Sequence, residues 1–149
     1  MPRTLSNLLQ PGSIGTLQLR NRMSVAAMGA NLAESDGTCG ERIIAYHARQ
    51  AKGGAGLIVL GATGIAFPAG GVQPRQVAIS DDRQIPGLRK LGEACHDYGA
   101  KVAAQIHFGG IVAQQDYADG RPALVPSFPP VGKSDLGDYM LPEEMMALY

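Results

Sequence analysis

The chain has 149 residues, of which 45% are apolar and 17% charged, with thirteen basic residues balancing thirteen acidic ones. That length suits about one domain with a buried core, and that apolar content excludes a chain disordered by composition. Zero net charge without a Lys/Arg-rich run speaks against a nucleic-acid partner; no window approaches the roughly eighteen apolar residues of a membrane span, and Met1 to Pro11 lacks the apolar stretch of a signal peptide, so a cytoplasmic protein is expected.

Residues 12–22 predict a short hairpin, with Ile14, Leu17 and Leu19 apolar and Gly15-Thr16 offering the turn. Residues 23–27 read as a short apolar strand, and residues 29–40 as a loop rich in Gly, Asn, Ser and Asp. Glu41 to Lys52 predicts a helix, because Ile43, Ile44, His47, Ala48 and Ala51 recur at spacings of three and four. Gly53-Gly54 ends it, and Leu57-Ile58-Val59-Leu60 follows as a strand too uniformly apolar to have one wet face. The order is helix, glycine turn, strand. A dinucleotide-binding loop runs the other way, from strand through glycines to helix. The run is therefore an αβ connection, and it implies a parallel βαβ arrangement.

Residues 61–80 read as a loop punctuated by Gly and Pro. A second helix is expected over 85–98, with Asp81-Asp82 as capping candidates and Pro86 in the first turn. Leu88, Leu91, Ala94 and Cys95 form its inward stripe, and Gly99 ends it. Residues 101–106 form the third strand. Residues 108–139 read as a long loop, a length typical of functional lids or disordered segments. Leu141-Pro142-Glu143-Glu144-Met145 has the marks of a helix start. Three strands are too few to close a barrel of eight. With the end falling inside a helix, the expectation is the front part of a longer chain.

In parallel α/β folds chemistry gathers at the carboxyl ends of strands. Gln105 and His107 end the third strand, and by alternation they share a face. Taken alone, Gln105 reads more readily as satisfying a loop backbone, and His107 reads equally as a site residue or a bonded loop histidine. Met28 reads as core filler or as a strand-end site residue. Gly61, Gly64, Gly70 and Gly71 suit a phosphate cradle or plain turns, but no Lys-Ser/Thr follows to make a P-loop. His47 and His96 read as packing or surface residues. Cys39 and Cys95 match no metal or redox spacing and read as reduced structural thiols.

Leu19-Arg20-Asn21-Arg22-Met23, Ala26-Ala27-Met28, Asp36-Gly37 and the run from Tyr46 through Ile58 occur in this order. Gly61-Ala62-Thr63, Gln105-Ile106-His107 and Val125-Pro126-Ser127 follow. Together they resemble the N-terminal third of the flavin oxidoreductases of the old yellow enzyme family. The chain is more similar to the branch holding 2,4-dienoyl-CoA reductase and trimethylamine dehydrogenase. The resemblance implies the N-terminal part of a (β/α)8 TIM barrel, with the hairpin closing its bottom and FMN at the carboxyl ends of the strands. It places FMN contacts on Ala26, Ala27, Met28, Ala62 and Gln105; His107, on the face of Gln105 by alternation, is the substrate-binding candidate. A flavin edge needs donors and acceptors in one plane, which a glutamine amide supplies.

The chain departs from the family where Ala27 replaces a frequent proline, and where Phe108 and Ile111 replace a His and an Arg. The resemblance names no catalytic acid here, because the half of the barrel that carries it lies elsewhere. It implies hydride transfer from NAD(P)H through FMN to an activated C=C bond, with an amine-dehydrogenase chemistry on the same scaffold as an alternative. An iron–sulfur cluster and FAD belong only to a C-terminal extension. The segment alone is expected to be inactive and to need the remainder of the barrel or a second chain, with a homo-oligomer among the partner readings. Two further readings are a non-catalytic partial barrel that binds a partner, and another α/β barrel enzyme acting on a phosphorylated small molecule.

Overall fold

The structure, a computed structural model, describes residues 6–122. The expected helix start at Leu141 and the last part of the long loop lie outside them. A short helix, α1 (Ser6–Leu9), which the sequence pattern did not signal, precedes the antiparallel hairpin β1 (Gly12–Ile14) and β2 (Leu17–Leu19). Next come β3 (Ser24–Met28), α2 (Glu41–Lys52), β4 (Leu57–Gly64), α3 (Ile85–His96), β5 (Lys101–His107) and a short α4 (Gln114–Ala118). The three longer strands form one parallel sheet in the order β3-β4-β5. This is the sheet that the βαβαβ pattern requires.

α2 holds to its predicted bounds for local reasons. Ile43, His47 and Ala51 bury one stripe, and Gly54 at φ +110 makes the left-handed exit. The hairpin reinforces that exit. Arg20 donates from Nη2 to the carbonyls of Ala51 at 2.7 Å and Ala55 at 2.9 Å, and Asn21 donates to Gly54 O at 2.7 Å. These side chains satisfy carbonyls that a helix end leaves unpaired. They also seat the hairpin at the amino end of β4, away from the strand ends where chemistry is expected.

α3 starts after a capping box: Arg83 N–H donates to Asp81 Oδ1, and Asp81 N–H donates to Gln84 Oε1, each at 2.9 Å. Of the two capping candidates, Asp81 does the work. The helix ends at His96, two residues short of the expected Tyr98.

The core lies between the sheet and the two longer helices. Ile43 and Ala51 of α2, Ile58 and Leu60 of β4, and Leu91 and Cys95 of α3 are all buried. Each large aliphatic chain buried there stabilises the fold by roughly 1.5–3 kcal/mol. The other face of the sheet carries no helix among the described residues: Ala26, Ala103 and Gln105 are exposed. A half-covered parallel sheet is what the first part of a (β/α)8 barrel looks like when its remaining strands are not in view. None of the described helices is long and apolar enough to cross a membrane.

Candidate functional site

Both ladders of the sheet break at their carboxyl ends. Between β3 and β4 the register runs Ser24 to Leu57, Val25 to Ile58, then Met28 to Leu60, so Ala26 and Ala27 together oppose Val59. Between β4 and β5, Leu60 pairs with Ala104 and Thr63 with Ile106, so Gly61 and Ala62 together oppose Gln105. Each break is a β-bulge, two residues against one. Bulges bend a strand and re-aim its side chains, and they recur at barrel rims and beside active sites.

The bulges correct the sequence reading. Met28 was expected just beyond a strand of residues 23–27, yet it lies within β3 together with Ala26 and Ala27. Ala62 was expected after a strand ending at Leu60, yet β4 continues to Gly64. A Gly-Ala-Thr-Gly stretch carries no strand signature, and only pairing with β5 makes it one.

The two bulges meet at Gly61. A Cβ there would overlap the backbone of Met28, so only glycine permits this approach of β4 to β3. The next residue, Ala62, takes φ +46. That left-handed conformation costs a non-glycine residue on the order of 1–2 kcal/mol. Its N–H donates to Oε1 of Gln105 at 3.3 Å. That oxygen keeps a second lone pair, and Gln105 Nε2 has no hydrogen bond among the described residues. Gln105 is exposed and Met28 is 68% exposed. The result is a strip of bulged backbone ending in one planar amide, open on the barrel side. Such a strip suits the edge of a flat ligand with donors and acceptors in its plane.

His107 is set apart from this group. It is half-buried, pairs in register with Gly64, and has Nδ1 buried without a partner, whereas Gln105 stays open. No hydrogen bond joins the two among the described residues.

A second cluster walls the site, and the sequence reading missed it. Asp116, 1% exposed, accepts from Gly70 N–H at 2.8 Å and from Arg121 Nε and Nη2 at 3.1 and 2.9 Å. Arg121 Nη2 also donates to Pro68 O at 3.3 Å. For the Arg121 guanidinium, burial opposes the charge, but the carboxylates of Asp116 and Asp119 outweigh it and hold the pKa above its usual value. Phe108 lies against Gly70, so the residue standing at the family's His position serves packing. These contacts bind the loop after β4 to the segment after β5. Residues 108–122 are thus partly ordered, with a 3₁₀ turn at Gly110–Val112 followed by α4, rather than a bare loop. An Asp–Arg pair five apart was the only signal, and its partner Gly70 lies 46 residues away from Asp116.

The remaining candidates have structural explanations. Gly70 is a turn with φ +69 packed on a ring. His47 is buried and its Nδ1 donates to Gln50 Oε1 at 2.9 Å, while His96 is exposed. Cys39 and Cys95 are free and buried; burial pushes the Cys39 thiol up to about 11 and raises Cys95 as well.

Comparison with known proteins bears on the family and the fold. The sequence profile of the NADH:flavin oxidoreductase / NADH oxidase family matches residues 7–145. An NADH oxidase of Thermoanaerobacter brockii is 39% identical over 131 residues, covering 88% of this chain and 20% of that protein. A solved 2-naphthoyl-CoA reductase in complex with 2-naphthoyl-CoA superposes with a TM-score of 0.83 at 26% identity, over 95% of this chain and 24% of its own. Old yellow enzyme from Pichia sp. AKU4542 superposes with a TM-score of 0.71 at 27% identity, over 81% of this chain and 32% of its own. The chain thus spans a fifth to a third of the length of these relatives.

Proposed function

The chain belongs to the NADH:flavin oxidoreductase / NADH oxidase family, and from that premise we propose that it supplies the first strands of an FMN-dependent oxidoreductase that reduces an activated C=C bond with electrons from NAD(P)H. The observation that carries the reading is the pair of adjacent bulges joined through Ala62 N–H and Gln105 Oε1. The residues fit the cofactor. Ala26, Ala27, Met28 and Ala62 offer backbone groups to a ring edge, and the Gln105 amide offers a donor and an acceptor in one plane. Bound there, FMN would supply the two-electron hydride chemistry between a nicotinamide and the substrate.

The protein's part is binding and orientation. Gly61 keeps β3 and β4 close enough for their bulged backbones to form one surface. The Ala62 N–H holds the Gln105 side chain at the strand end, so the amide needs no reorganisation to meet the ring. The clamp of Asp116 and Arg121 keeps both neighbouring loops as one wall. His107, one step from Gln105 along β5, is the substrate-side candidate.

The test is FMN titration of the full-length protein beside its Gln105→Leu variant. Leucine keeps the volume and leaves ring polar atoms unpaired, at about 1–3 kcal/mol, which is roughly ten- to a hundredfold in Kd. The reduced anionic form should suffer more, so the potential should fall. Unchanged affinity and potential would show that this strand end is not the flavin site.

A further inference from the structure

We propose that the outer face of α2 is a docking groove for a short, extended, acidic segment of a separate protein. The groove, of about 900 Å³, is lined by Arg42, Tyr46, Arg49 and Lys52 of α2 and by Tyr98, just beyond the end of α3. Arg42, Tyr46 and Arg49 recur at spacings of four and three, so they form one stripe, and Lys52 adds a third cation at its end. α2 buries Ile43, His47 and Ala51, whereas all four side chains of the stripe are exposed. Both walls, α2 and the end of α3, are in view, so the groove forms without any further strand.

Charge selects the occupant. The chain as a whole is neutral, yet three cations line this groove and no carboxylate does. Among the described residues none of the three has an ion-pair partner, since the ion pairs there use Arg75, Arg83 and Arg121. Arg49 and Lys52 lie in the last turn of α2, where a cation complements the helix dipole. Arg42 lies in the first turn, where the same dipole disfavours it. The helix by itself therefore does not account for the stripe. Two aromatic rings accompany the cations, Tyr46 at 38% and Tyr98 at 41% exposure. The buried His47 ring meets Tyr46 edge-on, with centroids 5.0 Å apart, which fixes the tyrosine in place. Tyrosine beside arginine is the composition that binding surfaces favour at their centres.

Spacing sets the form of the segment. Arg42 and Arg49 stand about 10 Å apart along the helix axis, at roughly 1.5 Å per residue. A peptide in the polyproline II conformation returns to the same face every third residue, after about 9 Å. Carboxylates at i and i+3 thus meet the two guanidinium forks, and a carboxylate at i+4 reaches toward Lys52. An apolar residue between them lies on the tyrosine rings. The proposal concerns a face remote from Gln105 and stands whether or not the strand ends hold FMN.

Fluorescence anisotropy of the full-length protein with a rhodamine-labelled peptide, Gly-Glu-Pro-Leu-Glu-Glu-Gly, tests it. Saturable binding with a Kd below ~1 mM is expected, weakened at least about tenfold when the three glutamates are replaced by glutamine. Raising salt from ~0.05 to ~0.5 M should weaken it by a similar factor, because exposed charges are screened. Arg42→Glu with Arg49→Glu should abolish it, with the far-UV circular dichroism of the native protein retained. If that variant does not fold, Arg42→Gln with Arg49→Gln replaces it, and a loss of about tenfold is expected. Equal binding of the acidic and neutral peptides, no saturable binding, or unchanged binding in the folded variant overturns the proposal. So does a single-stranded oligonucleotide that displaces the peptide at lower concentration than the unlabelled peptide does, which would make the groove a nucleic-acid surface.

Discussion

Changing Gly61 to alanine places a methyl group inside the backbone of Met28, with the nitrogen, carbonyl carbon and oxygen all closer than any real Cβ contact. No rotamer relieves this, because every clashing atom is main chain. To restore ordinary contact the two strands must part by on the order of 1 Å, just where Met28 pairs with Leu60. Overpacking of this kind costs about 1–3 kcal/mol. The smaller entropy of an unfolded chain with alanine returns about 0.4–1 kcal/mol. The clash is with backbone, so the upper half of the range applies, for a net loss of about 2 kcal/mol. In urea unfolding followed by far-UV circular dichroism, that is a midpoint lowered by roughly 1 M. Gly92→Ala is the control. Gly92 lies within α3, and its nearest neighbour to an added Cβ is His96 Cε1 at 4.0 Å. There the same change should stabilise by about 0.5–1 kcal/mol. If Gly61→Ala unfolds within about 0.5 kcal/mol of the native protein, the two bulges do not depend on this close approach.

Three further outcomes are expected. Ile58→Ala, at a side chain with 0% exposure between the sheet and the helices, should cost about 2–5 kcal/mol in the same unfolding assay, and a loss below ~1 kcal/mol would place Ile58 outside the core. His47 has a folded pKa below its ordinary 6.5 because burial disfavours the charged ring. Its contribution is therefore complete above the unfolded value and declines as pH falls from 6.5 toward the folded pKa, where the unfolded state binds the proton first. Stability measured on acidification through that window should fall less steeply in His47→Gln than in the native protein. Neither Cys39 nor Cys95 should react with a thiol reagent at pH ~8 in the native state, since burial disfavours both thiolates, whereas both should react in denaturant. Fast native labelling of either would contradict the packing of α2 against α3.

The elements legible in the sequence are those whose causes are local. The turn of β1 and β2 follows from Gly15-Thr16, and α2 from its apolar stripe and Gly53-Gly54. The parallel order of β3, β4 and β5 follows from strands separated by helices. The proposed FMN positions were approached only through resemblance to a family, because alanine, methionine and glutamine carry no chemical signature of their own. Tertiary structure decided the rest. β4 runs on to Gly64 because β5 pairs with it, and a bulge is a mismatch of register between two strands that neither strand encodes alone. Gln105 meets Ala62 across 43 residues, and Asp116 meets Gly70 across 46. Local periodicity reports which face of an element is apolar. It is silent on which distant backbone group a side chain will reach, since that depends on how separately formed elements register against one another.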